Sequence, residues 1–399
     1  MTLAPDHPAA RSANPLVRRL RPDTTTIFAE MSALAVATGS INLGQGFPDT
    51  DGPASVLAAA RQAIADGVNQ YPPGPGIAEL RQAIAERRLA DHDQRFDPDG
   101  EVLVTVGATE ALAAAVLGLC EPGDEVLMLE PHYDSYPPIV AMAGGTHRSV
   151  PLRPDGSGRF ALDVRELADA VGPRTRLLLL NSPHNPTGTV LSRDELAGIA
   201  EVAVARDLIV ITDEVYEYLV FDGVRHLPLG TFPGMAERTV TISSAGKTFN
   251  TTGWKIGWAC GPAPLIAAVR AAKQFLTYVG GAPFQPAIAH GLRTEMPWVA
   301  GLRDSLQGKR DRLCAGLSGA GFGVYRPQGT YFVMADIRPL GSDDGMQFCL
   351  DLPARAGVVA VPDEVFHDDP RDGKPFVRFA FCKRDEVIDA AVQRLTALR

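Results

Sequence analysis

Thr239-Val240-Thr241-Ile242-Ser243-Ser244-Ala245-Gly246-Lys247 opens as a β-strand and closes on a lysine. Residues 239–243 have the β-branched, alternating character of a strand, and the small residues after them predict a sharp turn. Such a turn at a strand end can hold Lys247 inside a cleft. Lys255 follows, behind Gly253 and Trp254, and brings a second cation to the same neighbourhood. Further strands are predicted at 102–106, 125–129, 146–150, 177–181, 208–212 and 257–260, with helices such as 108–119 and 193–206 in the gaps. Strands alternating with helices predict an α/β domain with a mainly parallel sheet.

After about residue 290 the rhythm changes. A long helix is expected at 297–319, strands near 330–336, 357–361 and 376–382, and helices near 344–355 and 384–397. This is the pattern of a smaller α+β domain. The expected organisation is a disordered leader at 1–14, a segment at 15–50 that packs with the small domain, a large domain at 51–290 and a small one at 291–399. A chain of 399 residues exceeds one ordinary domain, which agrees with that division.

Composition excludes several classes. A net charge of −9 argues against a nucleic-acid partner, which needs a basic face. The five cysteines (Cys120, Cys260, Cys314, Cys349 and Cys382) are odd in number, widely spaced and free of any CxxC pair. Reduced thiols are therefore expected, with neither a disulfide framework nor a metal site. The stretch before Asn42 has no continuous apolar region of the secretory type, and no run reaches the roughly 18 apolar residues of a membrane span. A soluble, cytoplasmic protein is expected.

Four strand ends carry candidate chemistry. Lys247 suits an amine nucleophile if burial and neighbouring cations lower its pKa; the alternative is a solvated surface lysine. In Ile211-Thr212-Asp213-Glu214-Val215-Tyr216-Glu217, Asp213 ends an apolar strand, at the sheet edge where open α/β folds bind ligands. Its carboxylate there can pair with a protonated ring nitrogen, or simply cap a helix. Tyr216 offers a phenol or core packing. Asn181-Ser182-Pro183-His184-Asn185-Pro186-Thr187-Gly188 is a rigid loop or a plain turn. In the first reading the Asn185 amide donates to a ligand oxygen, while His184 is structural. Val106-Gly107-Ala108-Thr109-Glu110 runs from strand into helix, and free amides at a helix start make an anion site.

In order and spacing these junctions resemble the fold-type-I, pyridoxal-phosphate-dependent aminotransferases of class I and II. That branch includes kynurenine–glutamine transaminases, methionine aminotransferases and N-succinyldiaminopimelate aminotransferases. The resemblance runs from Asn42-Leu43-Gly44-Gln45-Gly46-Phe47-Pro48-Asp49 to Phe376-Val377-Arg378-Phe379-Ala380-Phe381-Cys382-Lys383. It is most similar to the actinobacterial N-succinyldiaminopimelate-type group through Asn69-Gln70-Tyr71-Pro72-Pro73-Gly74-Pro75-Gly76 and Gly280-Gly281-Ala282-Pro283-Phe284.

The resemblance implies a large domain with a mainly parallel seven-stranded sheet, a smaller α+β domain, and a homodimer with shared active sites. It implies that Lys247 carries pyridoxal 5'-phosphate as a Schiff base and later moves the substrate proton. Asp213 would hold the ring nitrogen protonated, and Tyr216 and Asn185 would bond the phenolic oxygen. Tyr133 would stack on the ring, with Asn181 also among the cofactor residues. Ala108, Thr109, Ser244 and Lys255 would hold the phosphate, with Tyr71 reaching in from a second subunit. Arg378 would take the substrate carboxylate in a fork, closed by the backbone of Gly46.

The implied activity is ping-pong transfer of an α-amino group from an amino acid to a 2-oxo acid, with N-succinyldiaminopimelate and 2-oxoglutarate as one candidate pair. Glutamine, kynurenine or methionine transamination and β-elimination from cysteine conjugates are the alternatives. A non-enzymatic DNA-binding regulator is disfavoured, because only about 40 residues precede the first matched motif. Two positions depart from the pattern. Lys255 stands where many relatives have arginine, and Gly280-Gly281 stands where kynurenine-type relatives carry an aromatic pair. An open side-chain pocket for long, acidic or acylated substrates is one expectation from those glycines; a turn with positive φ is the other.

Overall fold

The computed structural model describes residues 17–23 and 26–398. The leader expected at 1–14, and the first residues of the segment expected at 15–50, lie outside the described residues. Eight strands form the larger sheet. They are β1 (Val102–Val106), β2 (Glu125–Glu130), β3 (Thr146–Pro154), β4 (Phe160–Leu162), β5 (Thr175–Asn181), β6 (Ile209–Asp213), β7 (Thr239–Ser244) and β8 (Ile256–Cys260). Their spatial order is β1-β8-β7-β6-β5-β2-β3-β4.

The run β7-β6-β5-β2-β3 is parallel throughout, while β8 lies antiparallel between β1 and β7. The fold is the expected α/β one with a mainly parallel sheet. Seven strands coincide with the expected runs, and the addition is β4, a three-residue strand antiparallel to the end of β3. Leu177 to Asn181 are all buried, as in a sheet covered on both faces.

Helices pack on this sheet through small and apolar side chains. The helix Gly107–Leu119 buries Ala111, Ala114, Ala115 and Val116 against Val126, Met128, Ile211 and Ile242. The helix Arg193–Ala205 starts at a capping box: Ser192 accepts from the Glu195 amide, and Glu195 accepts from the Ser192 amide. Replacing such a cap by alanine costs about 1 kcal/mol.

The second sheet has the order β9-β10-β12-β11, from β9 (Gly323–Tyr325), β10 (Phe332–Asp336), β11 (Val361–Pro362) and β12 (Phe376–Ala380), all antiparallel. The single strand expected at 357–361 is divided in two. Val358–Val359 pairs in parallel with Ile41–Asn42, and only Val361–Pro362 joins β12. Met31, Ala35 and Leu43 share a core with Val333, Phe379 and Phe381. The helix Met296–Ala320 begins with Val299 in the core around Val56 and Phe249, and continues with Leu306, Leu313 and Leu317 in the core of the second sheet. We propose 51–290 and 291–399 as the two domains on this basis.

Register positions the site. Asn181 pairs with Asp213, and Asp213 with Ile242, so β5, β6 and β7 end side by side. Arg378 in β12 lies opposite Met334 and Val361. No helix among the described residues is long and apolar enough to cross a membrane. All five cysteines are free and buried.

Candidate active site

Beyond β7 the chain makes one helical turn, Ala245–Thr248, whose start is capped by Ser244 accepting from the Gly246 amide at 3.2 Å. That turn directs Lys247 into a cavity of about 270 Å³ between the two sheets. Lys247 Nζ donates to the Tyr331 hydroxyl at 2.8 Å. Burial pulls its pKa down to about 8, against the opposing influence of Cys382 and Asp213, while Lys255 and Arg378 add to the lowering. A surface lysine would titrate above 10. Lys247 is thus a partly buried amine with a substantial neutral fraction near pH 8.

Asp213 is 4% exposed at the end of β6. Tyr136 donates to its Oδ2 at 2.9 Å, and the Val215 amide approaches Oδ1 at 3.3 Å. Burial raises its pKa to about 6, while those two hydrogen bonds and Lys247 oppose the rise. No helix follows Asp213, so the capping role is not realised; residues 215–218 form turns. The backbone here is fixed from behind. Arg88, on the helix Ala78–His92, pairs with Glu214 at 3.0 Å and Glu217 at 2.7 Å, all three buried. Removing one partner of such a buried pair typically costs about 3–5 kcal/mol.

Asn181 Oδ1 accepts from the Asn185 amide at 2.7 Å, and its Nδ2 donates to the Asp213 carbonyl at 2.9 Å. The loop carrying Asn185 is thereby fastened to the end of β6. Asn185 Oδ1 in turn accepts from Arg378 Nη1 at 2.9 Å, which leaves the Asn185 amide group as its donor face. Tyr216 is buried, its ring edge-on to Tyr331 with centroids 5.2 Å apart. Its hydroxyl is held protonated, since burial pushes the phenol further up. Tyr133 borders the same cavity, edge-on to Tyr136 at 5.6 Å.

Opposite Asp213 the cavity is cationic. Ala108 and Thr109 begin the helix Gly107–Leu119, whose first turn has no side-chain cap, so its amides are available to an anion. Lys255 lies over Gly107: a Cβ at 107 would stand 3.1 Å from Lys255 Nζ. Gly107 itself has φ of +71°, a conformation that favours glycine. Ser244 borders the same end.

Arg378 is 1% exposed and has no carboxylate within ion-pair distance among the described residues. Its Nη2 donates to the Gly44 carbonyl at 3.1 Å, and its Nε is buried without a partner. Its guanidinium sits 4.0 Å from the centroid of Phe332, with Phe28 and Phe366 within 5.2 Å. Burial lowers its pKa to about 10. A buried guanidinium stacked on rings, without an ion-pair partner and open to the lysine cavity, has the chemistry to accept a carboxylate. Gly46 closes that wall, and its carbonyl accepts from the Tyr331 hydroxyl.

Of the residues singled out in the sequence, twelve border this one cavity or brace its walls, and Tyr71 does not. It is 82% exposed, against Tyr278 at 5.6 Å. Tyr136 and Tyr331 were missed, although they bond Asp213 and Lys247 directly. Tyr136 stands three residues after Tyr133, across a turn, and a second phenol so near would have suggested it.

A cation end, a buried carboxylate at the other end and a lysine between them fit a flat heterocycle that bears a phosphate. The sequence pattern of the family described as aminotransferase class I and II matches residues 38–395. The chain belongs to this family. As a class I/II aminotransferase it uses pyridoxal phosphate and moves an α-amino group between amino acids and 2-oxo acids in two half-reactions.

The aminotransferase is 64% identical, over 96% of its length and 98% of the relative, to a probable N-succinyldiaminopimelate aminotransferase of Mycobacterium tuberculosis. The solved structure of the N-succinyldiaminopimelate aminotransferase from that organism superimposes with a TM-score of 0.95, covering 96% of this chain and all of the other. A methionine aminotransferase of Escherichia coli is 39% identical over 96% of this chain and 99% of its own. The mouse kynurenine–oxoglutarate transaminase 3 is 38% identical over 94% and 88%.

Proposed function

We propose that this aminotransferase takes N-succinyl-diaminopimelate as its amino compound and 2-oxoglutarate as the opposing oxo acid. The observation that carries this reading is the 64% identity, across nearly both chains, to the mycobacterial relative of that name.

Bound pyridoxal phosphate supplies a carbonyl carbon that captures amines and a ring that accepts the electron pair left by a departing proton. The side chains divide the remaining work. Lys247 would hold the cofactor, and its amine, neutral near pH 8, would take the substrate Cα proton and give it back at another carbon. Asp213, kept ionised by Tyr136, holds a proton on the ring nitrogen. Tyr216 and the free amide of Asn185 would donate to the phenolic oxygen, and Tyr133 would offer its ring as a stacking partner. Lys255, Ser244 and the amides of Ala108 and Thr109 bind the phosphate. Arg378 binds the substrate α-carboxylate, and its stacking on Phe332 fixes the plane of approach.

Tyr71 completes the phosphate site of a second copy in this reading, as part of a homodimer. Its exposure, together with that of Phe275 at 83% and Tyr278 at 51%, supports a covered face there. The setting is taken to be the cytoplasm.

The test is a donor panel with purified enzyme and 2-oxoglutarate, comparing N-succinyl-diaminopimelate, methionine, glutamine and kynurenine by kcat/KM. The succinylated donor is expected to lead by at least about tenfold. A lead for methionine or kynurenine would replace this substrate reading and leave the family assignment intact. Release of pyruvate and ammonia from a cysteine conjugate would identify β-elimination instead.

A further inference from the structure

Three side chains outside the transfer chemistry converge where the two sheets meet. His132 follows β2, His147 lies in β3, and Asp368 follows the turn Asp363–Phe366 between β11 and β12. A nitrogen of each imidazole and a carboxylate oxygen all lie within 4.8 Å of one another. Asp368 Oδ1 is 2.8 Å from His147 Nε2 and 3.5 Å from His132 Nε2. In a tetrahedral zinc site with bonds of about 2.0–2.1 Å, neighbouring ligand atoms are about 3.3 Å apart. The two observed separations bracket that value.

Two independent observations call for a cation. His132 is 6% exposed, and its Nε2 approaches Asp368 at only 3.5 Å. The neighbourhood also gathers three carboxylates, Glu130, Asp363 and Asp368, whose ion-pair partners among the described residues are all histidines. No lysine or arginine forms an ion pair with them among the described residues, so a dication bound beside Asp368 adds positive charge to what the imidazoles supply.

We propose that His132, His147 and Asp368 bind a divalent transition-metal ion of the zinc class, with water in the fourth position. Two imidazoles and one carboxylate are the ligand set such ions prefer over magnesium or calcium. His147 and Asp368 are partly exposed, with side chains 31% and 42% accessible, which provides an entry path. The ion joins the two sheets: His147 lies in the larger one and His132 just beyond its β2, while Asp368 belongs to the chain between two strands of the smaller. The His132 amide already donates to the Phe366 carbonyl at 2.8 Å, so little movement is needed to seat it. Sequence spacing hid this site because the ligands come from two distant segments.

The test is calorimetric titration of chelator-treated, dialysed holoenzyme with Zn²⁺, beside thermal melting with and without the ion. One ion per chain is expected, with a raised melting midpoint. His147→Ala and Asp368→Asn should each weaken binding by at least about tenfold and abolish the rise in midpoint, while His290→Ala should change neither. Absence of stoichiometric uptake overturns the proposal. So does uptake that both ligand variants leave unchanged, since the ion would then sit elsewhere.

Discussion

The Tyr136 hydroxyl donates to Asp213 Oδ2 at 2.9 Å, and both groups are buried. The bond opposes the burial that raises the Asp213 pKa to about 6. A phenol whose own ionisation burial opposes is thus stationed beside a carboxylate whose charged form it favours.

Tyr136→Phe is expected to move the acid limb of the kcat/KM profile upward by about one pH unit. The hydrogen bond favours the charged carboxylate, so its loss raises the Asp213 pKa and depletes the ionised form between about pH 6 and 7. A bond to a charged group is worth about 1.5–3 kcal/mol, and one pH unit corresponds to about 1.4 kcal/mol. A profile that superimposes on that of the unaltered enzyme would show that Asp213 does not depend on Tyr136.

Lys247 should capture pyridoxal phosphate most readily once its amine is neutral. With a pKa lowered to about 8, the capture rate in cofactor-free protein should rise with pH and level off near pH 9, well below the range of an ordinary lysine. Stopped-flow absorbance measures this directly. Lys247→Ala should show no covalent capture and no transamination, with a melting midpoint close to that of the original chain. A plateau reached only above pH 10 would contradict the lowered pKa.

Removing the guanidinium in Arg378→Ala is expected to raise KM for every amino-acid and oxo-acid substrate by a similar factor, whatever the side chain. Losing one partner of a buried charge contact costs about 2–5 kcal/mol, or at least about thirtyfold. The ring cage around Arg378 also loses its filler, so the melting midpoint should be recorded alongside. Unchanged KM values for all substrates would make Arg378 a purely structural cation.

Gly281 has φ of +64°, and a Cβ there would approach Ile256 Cδ1 to 2.3 Å. At Gly280 a Cβ would meet Val106 Cγ2 at 2.6 Å. Within the chain, the glycines therefore have a backbone and packing reason, which favours the turn over the open-pocket expectation. Gly281→Ala should destabilise the fold by about 1–3 kcal/mol and lower kcat/KM equally for long and compact donors. A loss confined to the long donor would restore the open-pocket account.

Much of the fold was readable because its strands are short apolar runs that end in polar or turn-forming residues. Leu177 to Leu180 before Asn181, and Ile209 to Thr212 before Asp213, are clear cases. Phe160–Leu162 is too short to carry a periodic signal, and its pairing depends on the end of β3 folding back over it. The divided strand at 358–362 was unreadable for another reason: its partners, Ile41–Asn42 and β12, lie in distant parts of the chain. The same separation hid Tyr331 and Tyr136, whose partners are 84 and 77 residues away. Asp213 and Arg378 stood out because each places a charge at or within an apolar strand, where its cost demands an explanation, and Lys247 because small residues turn it in just past one.

A Cβ at Gly46 would come within 2.4 Å of Phe332 Cζ, and that ring lies 4.0 Å from the Arg378 guanidinium. Any side chain at position 46 therefore has to displace that ring. An alanine there would push the Phe332 ring away from the Arg378 guanidinium unless a smaller residue at 332 made room. Residues 46, 332 and 378 are thus one packed unit, in which the smallest member sets where the cation sits.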